Sequence, residues 1–198
     1  MAERPKELWI VRHGQTEWSL SGQHTGRTDI PLTPEGEHKA RALGRLLDGR
    51  RFSLVLSSPL IRALHTCRLA GYGDQAEICE DLLEWNYGEY EGRTTAEIRK
   101  DVPDWTIWRG KVPGGETGEQ VAERTQRVID RAEQASGDAI VFAHGHVLRV
   151  LAATYLGLPP EAGRLSVLGT AAMGVLGWEH EWHVVKRWNI QPPEEERG

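Results

Sequence analysis

The sequence predicts an α/β fold, a three-layer, doubly wound and mostly parallel sheet with helices on both faces. Two observations carry that prediction. Leu8 to Val11, Leu54 to Leu56 and Ala139 to Ala143 are short apolar runs bounded by polar or turn residues, the pattern of strands buried on both faces. Between them the apolar residues recur at helical spacing behind helix-start signals, so the order is βαβα.

After the first run, Thr33-Pro34 supplies an N-cap and a proline at the first helical position, and Ala40, Leu43 and Leu47 continue one face. After the second, Ser58-Pro59 repeats the signal ahead of Leu60, Ala63, Leu64 and Cys67. A short strand is expected at Glu77 to Cys79. Thr117 to Gln120 is a capping box, followed by the face Val121, Thr125, Val128 and Ala132 and a stop at Ser136-Gly137. The strand Ala139 to Ala143 leads into a helix from His146 to Leu156, ended by Gly157 and Pro159-Pro160. Met173 to Trp178 and His183 to Trp188 read as a closing hairpin. Trp85 to Gly115 follows neither period and is expected to form a lobe over one sheet edge, as a lid or substrate wall. Residues 1–190 then make one domain, with a disordered tail from Gln191 to Gly198.

The chain has 198 residues with 39% hydrophobic content, enough for one sizeable core. With 27% charged residues, a net charge of -5 and no long run of lysine or arginine, it offers neither a nucleic-acid footprint nor a polybasic membrane patch. The longest apolar stretch, Val147 to Leu158, is interrupted by Arg149 and too short to span a bilayer. Two cysteines, Cys67 and Cys79, without a signal-like start point to a reducing, cytoplasmic setting. The expected partner is a small molecule, and assembly into a homo-oligomer stays open.

In open α/β sheets ligands bind beyond the carboxyl ends of the strands, so polar residues just after the apolar runs are the candidates. The first strand ends in Arg12-His13-Gly14. The second leads through Ser57-Ser58-Pro59 to Arg62, and the strand before the last helix ends in His144-Gly145-His146. Glu84 follows Leu82-Leu83 near the same edge. Two arginines, two histidines and a carboxyl group suit phosphoryl transfer: Arg12 and Arg62 can each fork onto phosphate oxygens, and His144 can donate a further bond. Neutral His13 can attack in line, and Glu84 can protonate the leaving oxygen and then activate water. His13, His144 and His146 could instead ligate a metal, but Arg12 would repel a cation and no Asp or Cys completes the shell, so neither metal nor cofactor is expected. Taken singly, Arg62 would be a surface arginine and the histidines core residues, and their common placement after strands argues otherwise; Glu84, with Glu80, Glu89 and Glu91 close by, reads from the residues alone as a surface glutamate.

Val11 to Trp18, with Thr25-Gly26 and Asp29 to Thr33 behind it, resembles the opening of the histidine phosphatase superfamily, which includes cofactor-dependent phosphoglycerate mutases. Ser57 to Ala63 and Phe142 to Gly145 match its other two signatures, so the resemblance runs from Leu8 to about Trp188. It implies a phosphoglycerate mutase-like fold, His13 as nucleophile, Glu84 as proton donor, and Arg12, Arg62 and His144 as the phosphate pocket. It also implies phosphate-side positions for Ser19, Thr25, Gly26 and Gly145. The segments Glu17 to Gly26 and Glu84 to Gly92 look like the sugar-bisphosphatase branch typified by fungal sedoheptulose-1,7-bisphosphatase. Ser19 stands where mutases of the family usually carry asparagine, and the arginine-rich insertion of mutases after the catalytic glutamate is short here. The resemblance therefore implies a metal-independent phosphatase of small phosphorylated metabolites, with phosphoglycerate mutase as the alternative. Arg109, beside Trp108, is the candidate for a second phosphate or a sugar hydroxyl. Trp18, Trp85, Trp105 and Trp108 are candidates for a substrate wall, while Trp9, Trp178, Trp182 and Trp188 are expected to pack on the sheet.

Overall fold

Strands β1 (Leu8–Arg12), β2 (Leu54–Ser57), β3 (Glu77–Ile78), β4 (Ala139–Ala143), β5 (Met173–Glu179) and β6 (Trp182–Ile190) form one sheet in the order β3-β2-β4-β1-β5-β6. The structure is a computed structural model that describes residues 6–193. The first four strands of that order run parallel, and the closing hairpin is added antiparallel to β1 through β5. Helices are α1 (Glu17–Ser21), α2 (Pro34–Leu47), α3 (Ile61–Leu69), α4 (Thr95–Asp101), α5 (Gly118–Gln134) and α6 (Gly145–Tyr155). The tail expected from Gln191 lies outside the described residues from 194 onward.

Alternation along the buried strands divides the core in two. Leu8 and Ile10 of β1, with Val141 and Ala143 of β4, pack on α5 and α6 through Val121, Val128, Val147 and Leu151. Trp9 and Val11, with Ile140 and Phe142, pack on α2 and α3 through Leu43, Leu47 and Cys67. This is the three-layer arrangement that the unbroken apolar runs require.

The start signals held with one exception. Thr33 caps α2, its Oγ1 accepting from the Gly36 amide at 3.0 Å, and Thr117 caps α5 by the expected capping box. Ser58 does not cap α3, which begins at Ile61 behind Leu60 with no side-chain cap. Its hydroxyl is drawn instead to His144. Within the Trp85 to Gly115 lobe, α4 is capped by Thr94 and Glu97, and Trp85 and Trp105 are buried in the core; Trp182, expected to cover the sheet, is exposed at the hairpin turn.

The loop after β1 lies directly against the start of α2. A Cβ at Gly36 would stand 2.2 Å from the Gln15 carbonyl oxygen, and one at Gly14 would stand 2.5 Å from that of Gly36. Because backbone, not a flexible side chain, blocks the space, Gly36→Ala should destabilise the protein by about 2 kcal/mol or more. A denaturation midpoint unchanged from wild type would refute this.

Candidate active site

Adjacent parallel pairing sets the centre of the site. Arg12 pairs with Ala143 in the register of β1 and β4, so the next residues, His13 and His144, emerge side by side with ring centroids 5.2 Å apart. The strand ends are pinned by His13 N–H donating to Ala143 O at 2.9 Å and Ser58 N–H donating to Phe142 O at 2.9 Å.

His13 is 4% exposed, and its Nδ1 lies 2.7 Å from the Gly14 carbonyl oxygen. A carbonyl only accepts, so Nδ1 carries the proton and Nε2 of the neutral ring presents a lone pair. Burial, reinforced by the charges of Arg62 and then Arg12, holds the His13 pKa well below its usual value. His144 is tied on both sides: Nδ1 accepts from Arg62 Nε at 3.0 Å, which leaves the proton on Nε2 to donate to Ser58 Oγ at 2.8 Å.

Arg62 is fully buried, and its fork is turned largely into the protein. Nη1 donates to Thr28 O at 2.9 Å, and Nη2 to Thr25 O at 3.1 Å and Gly26 O at 2.8 Å. With Nε on His144, four of its five N–H groups are taken, so the expected two-pronged grip on a phosphate is not available to it. It organises the Thr25–Thr28 loop and orients His144. Arg12 donates through Nη1 to Leu168 O at 2.6 Å, while its buried Nε has no protein partner.

Glu84 is 4% exposed and sits at the start of α6. Its Oε1 accepts from the Trp85 and Val147 amides at 2.9 and 2.8 Å, and its Oε2 from His146 N–H at 3.0 Å. The segment bearing it is clamped by buried Arg124, which donates to the carbonyls of Asp81, Leu83 and Glu84 and pairs with Glu116 at 2.9 Å.

These groups open on a cavity of about 210 Å³ whose lining includes Arg12, His13, Ser19, Thr25, Glu84 and Gly145. Arg62 and His144, both fully buried, are not part of that lining. Ser19 reaches the wall, but its hydroxyl is engaged in the α1 capping box with Thr16, at 2.8 and 2.9 Å. Gly26 is buried off the cavity lining, its amide on Glu91 Oε1 at 2.9 Å. Gly145 is needed small, since a Cβ there would meet Arg12 Cζ at 3.2 Å.

Arg109 is not brought to this cavity. It is exposed and lines a separate one of about 620 Å³ with Trp85, Trp108 and Lys111. The second cation at the His13 cavity is Arg149, whose guanidinium lies 4.5 Å from the Trp108 ring centre. Sequence reasoning passed over it, although it follows His146 by three positions on α6 and so shares its face. Tyr87 and His24 also line the cavity without having been anticipated.

Four histidines here are held neutral chiefly by burial: His13, His144 and His146 well below 6.5, and His24 at about 4. In the unfolded chain each takes up a proton near pH 6.5, while in the folded protein it does not. The unfolded state thus binds more protons below that pH, and stability falls on acidification, by up to about 1.4 kcal/mol per pH unit for each histidine. Denaturation midpoints should drop between pH 7.5 and 5; a flat profile would contradict the assignment. The neutral form of His13 persists over the same range, so loss of activity through its protonation should begin well below pH 6.5.

A buried neutral imidazole with a free lone pair beside arginine and a carboxyl group, at the carboxyl edge of a parallel sheet, is the equipment of an α/β enzyme that handles phosphate esters. The chain belongs to the histidine phosphatase superfamily, branch 1, whose family model matches residues 8–191. It is a phosphatase, a hydrolase of phosphomonoesters. It is 38% identical over 184 residues to an acid phosphatase of Mycobacterium tuberculosis, covering 91% of this chain and 90% of that protein. It is 40% identical over 182 residues to the sedoheptulose 1,7-bisphosphatase of Saccharomyces cerevisiae, covering 75% of this chain and 67% of that one. A solved open reading frame product of Mycobacterium tuberculosis superposes with a TM-score of 0.91 at 35% identity, covering 96% of this chain and 100% of the other, in accord with the predicted fold class. No helix among the described residues is long and apolar enough to cross a membrane.

Proposed function

We propose that the protein releases phosphate from a small sugar phosphate or bisphosphate, such as sedoheptulose 1,7-bisphosphate, through a phosphohistidine on His13. The observation that carries this reading is the His13 Nδ1 contact with Gly14 O, which commits the ring to a neutral tautomer with Nε2 free at the cavity.

In the first step the Nε2 lone pair attacks phosphorus as the P–O ester bond breaks, and the departing alkoxide takes the proton of the Glu84 carboxyl group. In the second, water attacks phosphorus, Glu84 takes its proton, the P–N bond breaks, and inorganic phosphate leaves with His13 restored. Arg12 stabilises charge on the transferring group directly. Arg62 contributes mainly through its charge, one remaining N–H and its hold on His144. Arg149 supplies a cation for a second anionic group, the role read earlier into Arg109, and its presence favours a doubly anionic substrate such as a sugar bisphosphate. We place the reaction in the cytoplasm, a reading supported by the two unpaired, buried cysteines.

The test is phosphate release from sugar monophosphates, sugar bisphosphates, phosphoglycerates and an aryl phosphate, with chelator present. Preferred turnover of a sugar bisphosphate supports the full reading. Interconversion of phosphoglycerates faster than phosphate release would replace it with the mutase reading, and turnover of the aryl phosphate alone would withdraw the substrate.

A further inference from the structure

The backbone that carries Glu84 is irregular: residues 84–87 lie in neither helix nor strand, so no ladder of hydrogen bonds fixes the carboxyl group in place. Two side chains, one within α5 and one just ahead of it, supply what that backbone lacks. Arg124, 6% exposed in the middle of α5, spends all five of its N–H groups inside the protein. Nε donates to Glu116 Oε1 at 2.9 Å, Nη1 to the carbonyls of Asp81 at 2.7 Å and Leu83 at 2.6 Å, and Nη2 to Glu84 O and Glu116 Oε2, each at 3.1 Å. Glu116 takes hold on the other side of Glu84. Its Oε2 accepts from Asn86 N–H at 2.8 Å, and its carbonyl oxygen accepts from Trp85 Nε1 at 2.9 Å.

Neither residue lines the cavity at His13, and Arg124 has no N–H group left to offer a phosphate. Any effect of the pair on the reaction must pass through Glu84. The head of that carboxyl group is oriented by the His146 and Val147 amides of α6, while the backbone beneath it is tied to α5 by Arg124 and Glu116. Two packed helices thus define where the acid stands. Such precision matters to a reacting group, since a displacement of about 1 Å can cost about 100-fold in rate.

We propose that Arg124 and Glu116 act together as positioning residues for the proton donor, setting the Glu84 carboxyl group against the ester oxygen that leaves. As His13 Nε2 bonds to phosphorus and the P–O bond breaks, the Glu84 proton passes to that oxygen, and the alcohol departs neutral. This rests on Glu84 being the acid in the phosphatase reading above, and adds the residues that make it effective. The signature of the role is dependence on the leaving group. The phenolate of phenyl phosphate needs a proton as the bond breaks, whereas a dinitrophenolate departs without one. Loss of placement therefore slows the poor leaving group selectively, while loss of folded protein slows both esters alike.

The experiment compares kcat/KM for phenyl phosphate and dinitrophenyl phosphate, a measure that ends with departure of the leaving group and so excludes the later use of Glu84 as a base. Glu84→Gln sets the scale: phenyl phosphate should lose about 100-fold and dinitrophenyl phosphate no more than about threefold. In Arg124→Met and Glu116→Ala the ratio of the two should shift the same way by about tenfold or more, whatever the absolute rates. Glu116→Gln keeps acceptors for the Asn86 amide and for Arg124, and should restore most of the wild-type ratio. Where Arg124→Met does not fold, Glu116→Ala decides, because its side chain is partly exposed and water can take its place. A ratio unchanged in either variant, with Glu84→Gln behaving as stated, would overturn the inference and leave the phosphatase reading intact. Equal losses on both esters in Glu84→Gln would remove Glu84 as the acid and the inference with it, and failure of wild type to hydrolyse either ester would overturn the phosphatase reading as well.

Discussion

Replacing His13 by alanine abolishes phosphate release, lowering kcat/KM by about 10⁴-fold or more on every substrate the wild type accepts. The size follows from position. His13 Nε2 is the one neutral nucleophile set beside Arg12 at the cavity, and no second imidazole can stand in for it. His144 has Nδ1 on Arg62 and Nε2 on Ser58, His146 has Nδ1 on Tyr87, and His24 has Nε2 beside Thr95 Oγ1. Alanine also spares the fold. The strand end is held by backbone bonds, His13 N–H to Ala143 O and Ala171 N–H to His13 O, each 2.9 Å, and neither needs the imidazole. The vacated volume opens on a cavity that water already reaches. A companion measurement separates chemistry from binding: brief exposure to a radiolabelled phosphoester should leave acid-labile label on Glu84→Gln protein and none on His13→Ala. An alanine variant that retains activity within tenfold of wild type, or that carries label, would remove His13 from the nucleophile's place.

How much of this site could be read from the sequence depended on whether a residue declares itself through local pattern. Arg12, His13 and His144 did, because they directly follow apolar runs whose parallel pairing is forced by the crossover helices between them. The capped starts of α2 and α5 were equally legible, since Thr33 and Thr117 solve a local problem, the orphan amides of a first helical turn. Ser58 carries the same local signal, yet its hydroxyl is 2.8 Å from His144 Nε2 and a long-range partner overrode the cap. Two cations were missed for a different reason. Arg124 lies between Val121, Thr125 and Val128 on the buried stripe of α5, and Arg149 lies one turn beyond His146 on α6. Helical periodicity places both on inward faces, but their partners, the carbonyls of Asp81 to Glu84 and the ring of Trp108, come from segments without any periodicity. Arg109 shows the converse error: proximity in sequence to Trp108 put it near the site, and the chain turns it into a neighbouring cavity.

Arg62→Ala should be the most damaging single change to the fold of the site, costing about 3–5 kcal/mol of stability. Two effects of opposite sign compete. A buried guanidinium with no contacting carboxylate is expensive to desolvate, so deleting it removes a penalty. Against that, alanine strands four acceptors at once: the carbonyls of Thr25, Gly26 and Thr28, and His144 Nδ1. Each orphaned acceptor costs about 1–3 kcal/mol where water cannot replace the donor. Thr66 Oγ1, which donates to Arg62 O at 2.7 Å and accepts from Gly14 N–H at 2.9 Å, depends on the backbone only and should survive. The losses outweigh the relief because three of the acceptors lie in one loop, which without the fork has little to hold it against α3. Arg62→Lys should recover little, since one ammonium cannot span the loop carbonyls and the imidazole together. Loss of the Arg62 bond also frees the tautomer of His144, so phosphate release should fall beyond what reduced stability explains at a temperature where the variant is folded. Denaturation midpoints of the alanine and lysine variants check the first claim and kcat on the folded fraction checks the second. An alanine variant within 1 kcal/mol of wild type would mean that water supplies those donors, and that the loop is held by its own contacts with Glu91, which accepts from the Gly26 and Thr28 amides at 2.9 and 3.0 Å.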